Sequence, residues 1–552
     1  MSSNIDLSGQ PILILKEGTE RSTKQEAMHA NIEAARTVSE VIKTSLGPKG
    51  MDKMLVDSFG DITITNDGAT MLKEMDIQHP SAKMMVEVSK TQDDEVGDGT
   101  TTVVILAGEL LGKAEELIDK KVHPTVIIDG YRRAASKALE IFEEIGIEVN
   151  PLDEEYLKRV ALTSLESKLV SGYAGHLAEV AVRAILQVVE EKDGKYDVDL
   201  DYVKVEKKTG ESLKDTKMIN GLVVDKEVVH DNMPKIIKDA KIGLLDAALE
   251  IEKTEFDSKI RIESPEEIKA YLDQEEEMLK DLAEKVKAAK INVLFCQKGI
   301  DDTVQHFLAR AGIMAARRAK KSDMEGLAKA TGAKIVMTIE DLTEADCGYA
   351  EKVEERKILD SKMIFVEGCR NPRAVSILVR GGTERVVDEA ERSLHDALCV
   401  TKDVVVKPKI LAGGGAPEIE VARRIRRYAE SLSGRESLAV AAFADAVESI
   451  AVTLAENAGA DPIDIISESL AKHDKGEIWT GVDANSGKVV DMKNKEIYEP
   501  VLVKMQAVKS ATEAASMILK IDDVIAATKM RPPAPGPEGM GPGGMGGMPP
   551  MP

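Results

Sequence analysis

The stretch EVGDGTTTVVILAGELL (residues 95–111) joins a Gly-Asp-Gly turn to three threonines and an apolar run that predicts a helix from Thr100. Glycines let a backbone approach a ligand closely, and a helix start presents unpaired N–H groups and a positive dipole end to an anion. Asp98 adds a hard oxygen for Mg²⁺. An ordinary Asp or Thr cap explains one such residue, but not three threonines beside two glycines. The pattern therefore predicts a phosphate-binding loop.

Two further glycine turns border predicted helices. Leu46-Gly47-Pro48-Lys49-Gly50 ends one helical pattern, and Gly413-Gly414-Gly415 opens the helix predicted from Ala416. Both turns would let the backbone lie against a flat base, a ribose or a phosphate. From the residues alone the alternatives stay open: a simple helix stop at the first turn and a flexible hinge at the second.

The usual signatures of enzyme sites do not occur in the sequence. GxxxxGK[ST] is missing, and the nearest segment, GVDANSGKV (residues 481–489), has five residues between its glycines and ends in valine. None of the eight histidines lies in HExxH or HxH spacing, and no GxSxG is present. Zinc chemistry and a nucleophile-elbow hydrolase are therefore unsupported.

The two ends of the chain differ in pattern from its middle. Helical periodicity dominates up to about residue 150 and again after about Pro408, with a last predicted helix over 505–529. Strand-like runs such as 242–247 and 292–296 alternate with short helices between these regions, which is typical of an α/β domain. We predict that the helical ends form one domain and that the α/β middle is inserted into it.

The segment PEEIKAYLDQEEEMLKDLAEKVKAAK (residues 265–290) predicts a long, acidic, amphipathic helix of ~39 Å, which we expect to project from its domain. An ordinary surface helix is the alternative. The apolar residues at helical spacing are Ile268, Leu272, Leu279, Leu282 and Val286. The tail at 531–552 is rich in Pro, Gly and Met and is predicted to be disordered.

The amino-acid composition limits the classes of partner that we expect for this chain. The 552 residues include 74 basic and 97 acidic side chains, a net charge of −23, so we expect no nucleic-acid partner. We find no signal-peptide pattern and no apolar run of ~18 residues, so we expect no membrane contact. The four cysteines are widely spaced, as in proteins of a reducing cytoplasm.

Five segments resemble one family. They are LGPKGMDKMLVDSFGDITITNDGAT (46–70), EVGDGTTTVVILAGELL (95–111), NVLFCQKGIDD (292–302), AGGGAPEIEVA (412–422) and LAENAGADPIDII (454–466). Together they are similar to group II chaperonins, especially those of the archaeal thermosome type. The resemblance covers nearly the whole chain and keeps the family's order of motifs.

The resemblance implies a multidomain α and α/β fold with three domains. A mostly helical equatorial domain from both chain ends would hold ATP, a small intermediate domain would act as a hinge, and an α/β apical domain with a long helical protrusion would bind clients. The implied boundaries are 1–151 and 409–530 for the equatorial domain, 152–222 and 379–408 for the intermediate domain, and 223–378 for the apical domain, with the protrusion at about 253–291.

The implied function is that of an ATP-dependent folding chaperone. Mg-dependent hydrolysis of ATP to ADP and phosphate would drive the enclosure of unfolded client proteins. The subunit would join identical or paralogous subunits in a stacked double ring, whose protrusions form a built-in lid without a separate co-chaperonin. Two alternatives are a ring protein that binds nucleotide without useful hydrolysis, and an ATP-dependent transferase. The sequence leaves open the number and kinds of subunits per ring.

The resemblance also assigns residues to the nucleotide. Leu46, Gly47 and Pro48 would form the cradling turn, Asp98 would bind Mg²⁺, and the phosphates would meet Gly99, Thr100, Thr101 and Thr102. Adenosine would contact Gly414 and Gly415, the ribose Glu499, and the base Gly481.

Three more residues are assigned to hydrolysis by the same resemblance. Asp396, in SLHDAL, matches the aspartate that orients water toward the γ-phosphorus, and Asp67, in TNDG, would help position that water. Without the resemblance Asp396 is one acid on a helix, and Asp67 is a turn former. Lys168 matches a lysine that senses the γ-phosphate, but Glu166-Ser167 precede it where the family usually has a glycine before the lysine.

Overall fold

A computed structural model describes residues 4–5, 11–12, 19–251, 265–358, 361–371 and 374–527. The predicted disordered tail at 531–552 and the first part of the predicted protrusion, 253–264, lie outside the described residues. Helices predominate at both ends of the described chain, and the longest strands lie in its middle.

Most helices begin at a capping residue or a proline, as the chemistry of helix starts requires; α14, for example, follows Asp461, whose carboxylate accepts the backbone N–H of Ile463. In chain order the α-helices are α1 (Lys24–Lys43), α2 (Gly68–Glu74), α3 (Pro80–Val96), α4 (Thr100–Asp119), α5 (Pro124–Ile145), α6 (Glu154–Glu166), α7 (Ala174–Val188), α8 (Pro265–Ala288), α9 (Asp302–Arg310), α10 (Lys321–Thr331), α11 (Glu384–Val406), α12 (Ala416–Ser431), α13 (Arg435–Asn457), α14 (Pro462–His473) and α15 (Val501–Leu519).

The strands are mostly short outside the middle of the chain. They are β1 (Asn4–Ile5), β2 (Pro11–Ile12), β3 (Thr19–Thr23), β4 (Lys53–Val56), β5 (Ile62–Thr65), β6 (Ile147–Glu148), β7 (Glu190–Lys192), β8 (Lys195–Asp197), β9 (Val203–Thr209), β10 (Lys217–Ile219), β11 (Gly221–Val224), β12 (Ile236–Leu245), β13 (Val293–Cys296), β14 (Met314–Ala316), β15 (Ile335–Val336), β16 (Gly348–Ile358), β17 (Ser361–Cys369), β18 (Val375–Gly381), β19 (Lys409–Ala412), β20 (Thr480–Asp483), β21 (Lys488–Asp491), β22 (Tyr498–Pro500) and β23 (Asp523–Ala527).

Helices from the two ends of the chain share one hydrophobic core. This main core is built from residues between Ile32 and Ile145 and between Leu411 and Leu519. Helix α13 packs on α12, α5 and α4, while α15 packs on α3, α4 and α5. Tyr131 and Phe443 meet edge to face in it, with ring centroids 5.8 Å apart. The predicted union of the two helical ends is therefore present in the structure.

The middle of the chain forms a separate α/β layer around a seven-stranded sheet. The strand order is β11-β17-β16-β12-β13-β14, and β15 also pairs with β12. Strands β12, β13 and β14 run parallel, whereas β11, β17, β16 and β12 alternate in direction. Buried residues between Leu222 and Ala374 form what we call the inserted core, on which α9 and α10 pack.

A smaller layer joins these two bodies. Strands β10, β18 and β9 form its sheet, and β18 runs parallel to β9 in register from Val203↔Val375 to Thr209↔Gly381. Helices α6, α7 and α11 pack together beside this sheet. Strand β9 precedes the inserted core in the sequence and β18 follows it. The chain therefore enters and leaves that core through neighbouring strands of one sheet.

Helix α8 confirms the helix predicted over 265–290; its described side chains from Glu266 to Met278 are all exposed, whereas its second half is exposed on one side only. Tyr271, Leu272 and Met278 are 45%, 58% and 52% exposed. Leu279 and Val286, in contrast, belong to the inserted core. The described part of the helix that projects therefore ends near Met278.

The helix predicted over 505–529 is wrong at both ends. Helix α15 starts at Val501, directly after Pro500, which sets the extended backbone before it. It stops at Leu519, and the β-branched residues Val524 and Ile525 continue in strand β23, which pairs antiparallel with β3. Strand β23, paired with β3, thus stands where the expected helix would have continued beyond Leu519.

One helix among the described residues, α13, has the length and hydropathy of a membrane-spanning segment. In the structure 61% of its most apolar window is buried inside the protein. Val440, Phe443 and Val447 lie in the main core. Here α13 serves as a core helix.

Candidate functional site

A cleft opens into the main core where four connections meet. They are the turn after α1, the loop between α3 and α4, the β19–α12 turn and the β22–α15 junction. The large lobe of the cleft encloses about 1150 Å³, counting the open solvent at its mouth. A small lobe continues from it, and both lobes are bordered by Asp98, Gly99 and Thr102.

Most residues predicted for the site line this cleft. In the large lobe they are Leu46, Gly47, Pro48, Asp98, Gly99, Thr102, Gly414 and Glu499. In the small lobe they are Leu46, Gly47, Asp67, Asp98, Gly99, Thr100, Thr101, Thr102, Lys168 and Asp396. Gly415 and Gly481 do not line either lobe.

The Gly-Asp-Gly loop turns sharply between α3 and α4. Gly97 ends α3 with φ 66°, and a Cβ there would lie 2.2 Å from the Cβ of Cys399 on α11. Gly99 precedes α4 with φ 77° and makes no side-chain cap to the helix. The first N–H groups of α4 therefore receive no such cap and can bind an anion in the cleft. The carboxylate Oδ1 of Asp98 accepts the Gly99 N–H at 2.6 Å.

The turn after α1 is fixed from the other side of the cleft. Asn457, the last residue of α13, donates its side-chain amide to the carbonyls of Lys43 and Leu46 at 3.1 and 2.9 Å. Gly47 has φ 79°, and a Cβ there would lie 2.5 Å from Leu454 Cδ2. This turn is therefore held as one rigid edge of the cleft.

Asp67 is anchored at the start of α2 and points toward the small lobe. Its Oδ2 accepts the Thr70 N–H at 2.7 Å, and its Oδ1 accepts the Thr100 hydroxyl at 2.8 Å. Burial alone would raise the pKa of the Asp67 carboxyl, but the Lys168 charge and the hydrogen bonds from Thr70 and Thr100 lower it below its usual value. The Asp67 carboxylate is thus held in one orientation, and the Thr100 hydroxyl is one of the groups that hold it.

Asp396 lies in the middle of α11 and faces the same lobe. Its Oδ2 forms an ion pair with Lys168 Nζ, and the two side chains are only 11% and 8% exposed. The loop that carries Lys168 is tied to the Asp67 segment, because Asn66 donates to the Ser167 carbonyl at 2.5 Å. Glu166 and Ser167, which depart from the family pattern, line the large lobe.

The glycines of the β19–α12 turn shape the opposite wall. Gly414 lines the large lobe, and its carbonyl accepts the Val482 N–H at 2.8 Å. A Cβ on Gly481 would lie 2.6 Å from that carbonyl, and one on Gly415 would lie 2.8 Å from Ala451 Cβ. Gly415 and Gly481 therefore act behind the wall, by allowing the backbones that form it to pack closely.

Glu499 belongs to a buried group of charges that the motifs did not indicate. Lys504 Nζ lies 2.5 Å from Glu499 Oε2 and 2.8 Å from Glu418 Oε1. Lys504 also lines the large lobe. The available signal was a lysine within the apolar stretch Val501–Met505, but a lone lysine on a helix does not identify its partners.

The residues present fit a magnesium ion delivered with a nucleotide. Among the described parts of the chain, no group of three or more His, Cys, Asp or Glu side chains could hold a metal. Mg²⁺ in nucleotide sites is commonly bound by one or two carboxylates together with phosphate oxygens. Asp98 meets this requirement, since its carboxylate borders both lobes beside the start of α4.

The fold, with two helical ends around an inserted α/β body, matches that of a group II chaperonin. The open-state monomer of a group II chaperonin from Methanococcoides burtonii is 44% identical, with a TM-score of 0.61 over 77% of this chain and 100% of that one.

The chain belongs to the TCP-1/cpn60 chaperonin family, whose sequence model matches residues 38–529. Thermosome subunit beta of Archaeoglobus fulgidus is 55% identical over 99% of both chains. A thermosome subunit of Pyrococcus horikoshii is 57% identical over 97% of both, and thermosome subunit beta of Thermococcus kodakarensis is 58% identical over 95% of this chain and 96% of that one.

Family membership confirms the function predicted from the sequence. The protein is an ATP-driven folding chaperone of the double-ring group II type with a built-in lid, and its enzymatic activity is ATP hydrolysis.

Proposed function

We propose that the cleft binds Mg-ATP and that Asp396 and Asp67 orient the water that attacks the γ-phosphorus. One observation carries this proposal: the uncapped start of α4, the Asp98 carboxylate and the Asp67–Asp396 pair of carboxylates border a single small lobe. Phosphoryl transfer depends mostly on positioning and on electrostatic stabilisation of the phosphate oxygens. This lobe supplies groups for both tasks.

In the proposed reaction, water adds to the γ-phosphorus as the bond to the bridging oxygen of ADP breaks. Asp67 keeps its hydrogen bonds to Thr70 and Thr100, so its carboxylate has a fixed direction. Asp396 accepts a hydrogen bond from the water, whose proton leaves with the phosphate product. Mg²⁺ on Asp98 would neutralise charge on the phosphate oxygens. Lys168, paired with Asp396, would contact the γ-phosphate.

The remaining cleft residues take the roles expected from the family. The α1 turn at Leu46–Pro48 cradles the phosphates, and the first turn of α4 (residues 100–102) donates N–H groups to them. Gly414 lies against the adenosine, with Gly415 and Gly481 behind it, and Glu499 accepts ribose hydroxyls. These assignments are supported by the position of each residue in or directly behind the cleft wall.

We further propose the three domains with boundaries 1–151 and 409–530, 152–222 and 379–408, and 223–378. The separate main and inserted cores support this division. The β4–β5 hairpin supports assembly into a ring, because Met54, Val56 and Phe59 are 65%, 62% and 91% exposed. Such an apolar surface is typical of a contact with another subunit. Subunits of this ring, identical or paralogous, would work in the cytoplasm on unfolded client proteins.

The decisive experiment compares Asp396→Asn with Asp388→Asn. Asp388 lies on the same helix, but its side chain is exposed and paired with Lys207. We expect Asp396→Asn to bind Mg-ATP as the wild type does and to lose phosphate release by about a hundredfold or more. Asp388→Asn should retain both. Normal turnover in the Asp396→Asn protein would refute the proposed hydrolytic role.

The lid is tested separately, on the exposed half of α8. Because Leu279 and Val286 belong to the inserted core, a deletion should stop short of them and remove only 256–275. We expect the shortened protein to hydrolyse ATP but to leave an enclosed client open to protease. Full protection of the client after the deletion would exclude this segment as the lid.

A further inference from the structure

Three charged side chains from different elements form a buried row at the wall of the large lobe. Lys504 stands in the middle, with its Nζ 2.5 Å from Glu499 Oε2 and 2.8 Å from Glu418 Oε1. The exposed fraction of the side chains falls from 25% at Glu499 to 10% at Lys504 and 5% at Glu418. The row therefore runs from the cleft into the protein interior: Glu499 and Lys504 line the large lobe, Glu499 is the more exposed of the two, and Glu418 is the most deeply buried member.

Each member of the row sits on a rigid part of the backbone. Glu499 lies in strand β22, where it pairs with Leu411 of β19. Lys504 is in the first turn of α15 and Glu418 in the first turn of α12. A carboxylate in the first turn of a helix is favoured by the helix dipole, so Glu418 is a stable anchor.

The charges in the row depend on one another. Burial would lower the pKa of the Lys504 ammonium, but Glu418 and Glu499 raise it well above its usual range, so Lys504 is a cation. Glu418 is only 4% exposed; its Oε1 lies 2.8 Å from the Lys504 ammonium, and its Oε2 has no hydrogen-bond partner among the described residues. A buried carboxylate with so few partners requires a fixed neighbouring cation. Glu418 therefore holds Lys504 in place from behind.

We propose that Lys504, anchored by Glu418, is a positioning residue that aims Glu499 at the sugar of the nucleotide and so makes the site selective for ribose. The proposal rests on the proposed function of the cleft. Lys504 engages Oε2 of Glu499, which leaves Oε1 to accept sugar hydroxyls. Gly413 keeps that oxygen accessible, since a Cβ there would lie only 3.0 Å from it.

The selectivity for ribose arises because a deoxy sugar would leave the Glu499 carboxylate without a hydrogen-bond donor. A site built to hydrogen-bond a hydroxyl discriminates against an analogue that lacks it, because its own polar group is left unpaired. A glutamate that is free to rotate would hydrogen-bond to water instead, so little binding free energy would be lost with the deoxy analogue. Only a carboxylate that is held in place suffers this loss, and Lys504 is the side chain that holds Glu499.

The test measures ATPase kinetics of the assembled protein with ATP, 2′-deoxy-ATP and 3′-deoxy-ATP. We expect wild-type kcat/KM to favour ATP over the weaker of the two analogues by about tenfold. In Lys504→Met/Glu418→Gln, which removes one cation and one carboxylate and so keeps the net charge of the row, this ratio should fall toward one. The loss should lie in the KM for ATP, with kcat retained. Lys509→Met, an exposed lysine of the same helix, is the matched control.

Two results would overturn the proposal. One is a wild-type protein that uses both deoxy analogues as well as ATP, and the other is a double variant that keeps the wild-type ratio. If the double variant does not assemble, Glu418→Gln alone, which only loosens Lys504, should give an intermediate ratio, and an unchanged ratio there counts against the proposal. Failure of the proposed function would look different, since Asp396→Asn would then retain phosphate release.

Discussion

Lys168 and Asp396 meet as a buried ion pair in the small lobe, although 228 positions separate them in the sequence. Lys168 follows α6, Asp396 lies on α11, and these two helices pack against each other. The proposed γ-phosphate sensor and the proposed hydrolytic acid are therefore electrostatically one unit. Any ligand group that draws Lys168 away changes the environment of Asp396 at the same moment.

This pair should show strong energetic coupling. Lys168→Met leaves the Asp396 carboxylate buried without its cation, which should cost about 3 kcal/mol of unfolding free energy. Adding Asp396→Asn should restore much of that loss, because a neutral amide does not need the cation. Unfolding of the wild type, both single variants and the double variant measures the coupling. Simply additive effects would show that the pair contributes nothing.

Gly47→Ala should weaken nucleotide binding. Gly47 has φ 79°, and the methyl group of an alanine there would lie only 2.5 Å from Leu454 Cδ2, so alanine strains the backbone and also displaces a side chain of the cleft wall. Gly60→Ala is the matched control, since Gly60 has φ 89° and a Cβ there would have no atom of the described residues within 4 Å. We expect both variants to lose about 1 kcal/mol of stability through strain. Only Gly47→Ala should lower ATP affinity, as measured by isothermal titration; equal affinities would contradict this role of the turn.

Asp403→Asn should stabilise the protein at neutral and higher pH. Burial, with a smaller contribution from Asp98, raises the pKa of the Asp403 carboxyl from its usual 3.8 to about 8, and its Oδ2 has no hydrogen-bond partner among the described residues. Between pH 4 and 8 the unfolded chain releases this proton more readily, so the folded state loses stability as the pH rises. The variant should therefore gain roughly 2–5 kcal/mol at pH 8 and nothing at pH 4. Thermal unfolding across this range checks the sign, and a pH-independent difference would refute the assignment.

Glu420→Gln should weaken the protein and flatten its acid unfolding. Glu420 is fully buried, and burial would raise its pKa, but His473, Arg423 and Arg424 outweigh burial and lower it to about 2. Its stabilisation is therefore complete above pH 4.5 and is lost as the pH falls toward 2. The variant should lose about 3 kcal/mol at pH 7 and little at pH 2.

Glu140→Gln, in an exposed pair with Lys137, provides the control for that experiment and should change neither value. Acid titrations of the wild type and both variants, followed by circular dichroism, make the comparison. Identical acid-unfolding curves for the wild type and Glu420→Gln would mean that the ion pairs of Glu420 do not set the stability of the protein in acid.

Local chemistry explains why parts of the site were predictable from sequence. The loop at Gly97–Gly99 depends on its own glycines and on the helix that follows, so its form could be inferred directly. Helix α8 was predictable from its spacing of apolar residues, but the depth to which Leu279 is buried was not, because burial depends on the inserted sheet.

The rest of the site depends on contacts between distant elements. Nothing near Lys504 in the sequence points to Glu418; the two residues meet because α12, β22 and α15 all contact strand β19. Strand β23 was missed for the same reason, because its hydrogen-bond partner is β3 at the opposite end of the chain. Family resemblance identified Asp396, but its ion pair with Lys168 required coordinates.

The parallel strands β9 and β18 have a further consequence. Because they lie side by side in register, the chain enters and leaves the inserted α/β body through neighbouring covalent tethers. That body is therefore an exchangeable cassette: a relative's insert could be grafted at these two junctions without rebuilding the cleft. In evolution, exchange at the same two junctions can change which clients the inserted body binds while the ATP-binding cleft stays unchanged.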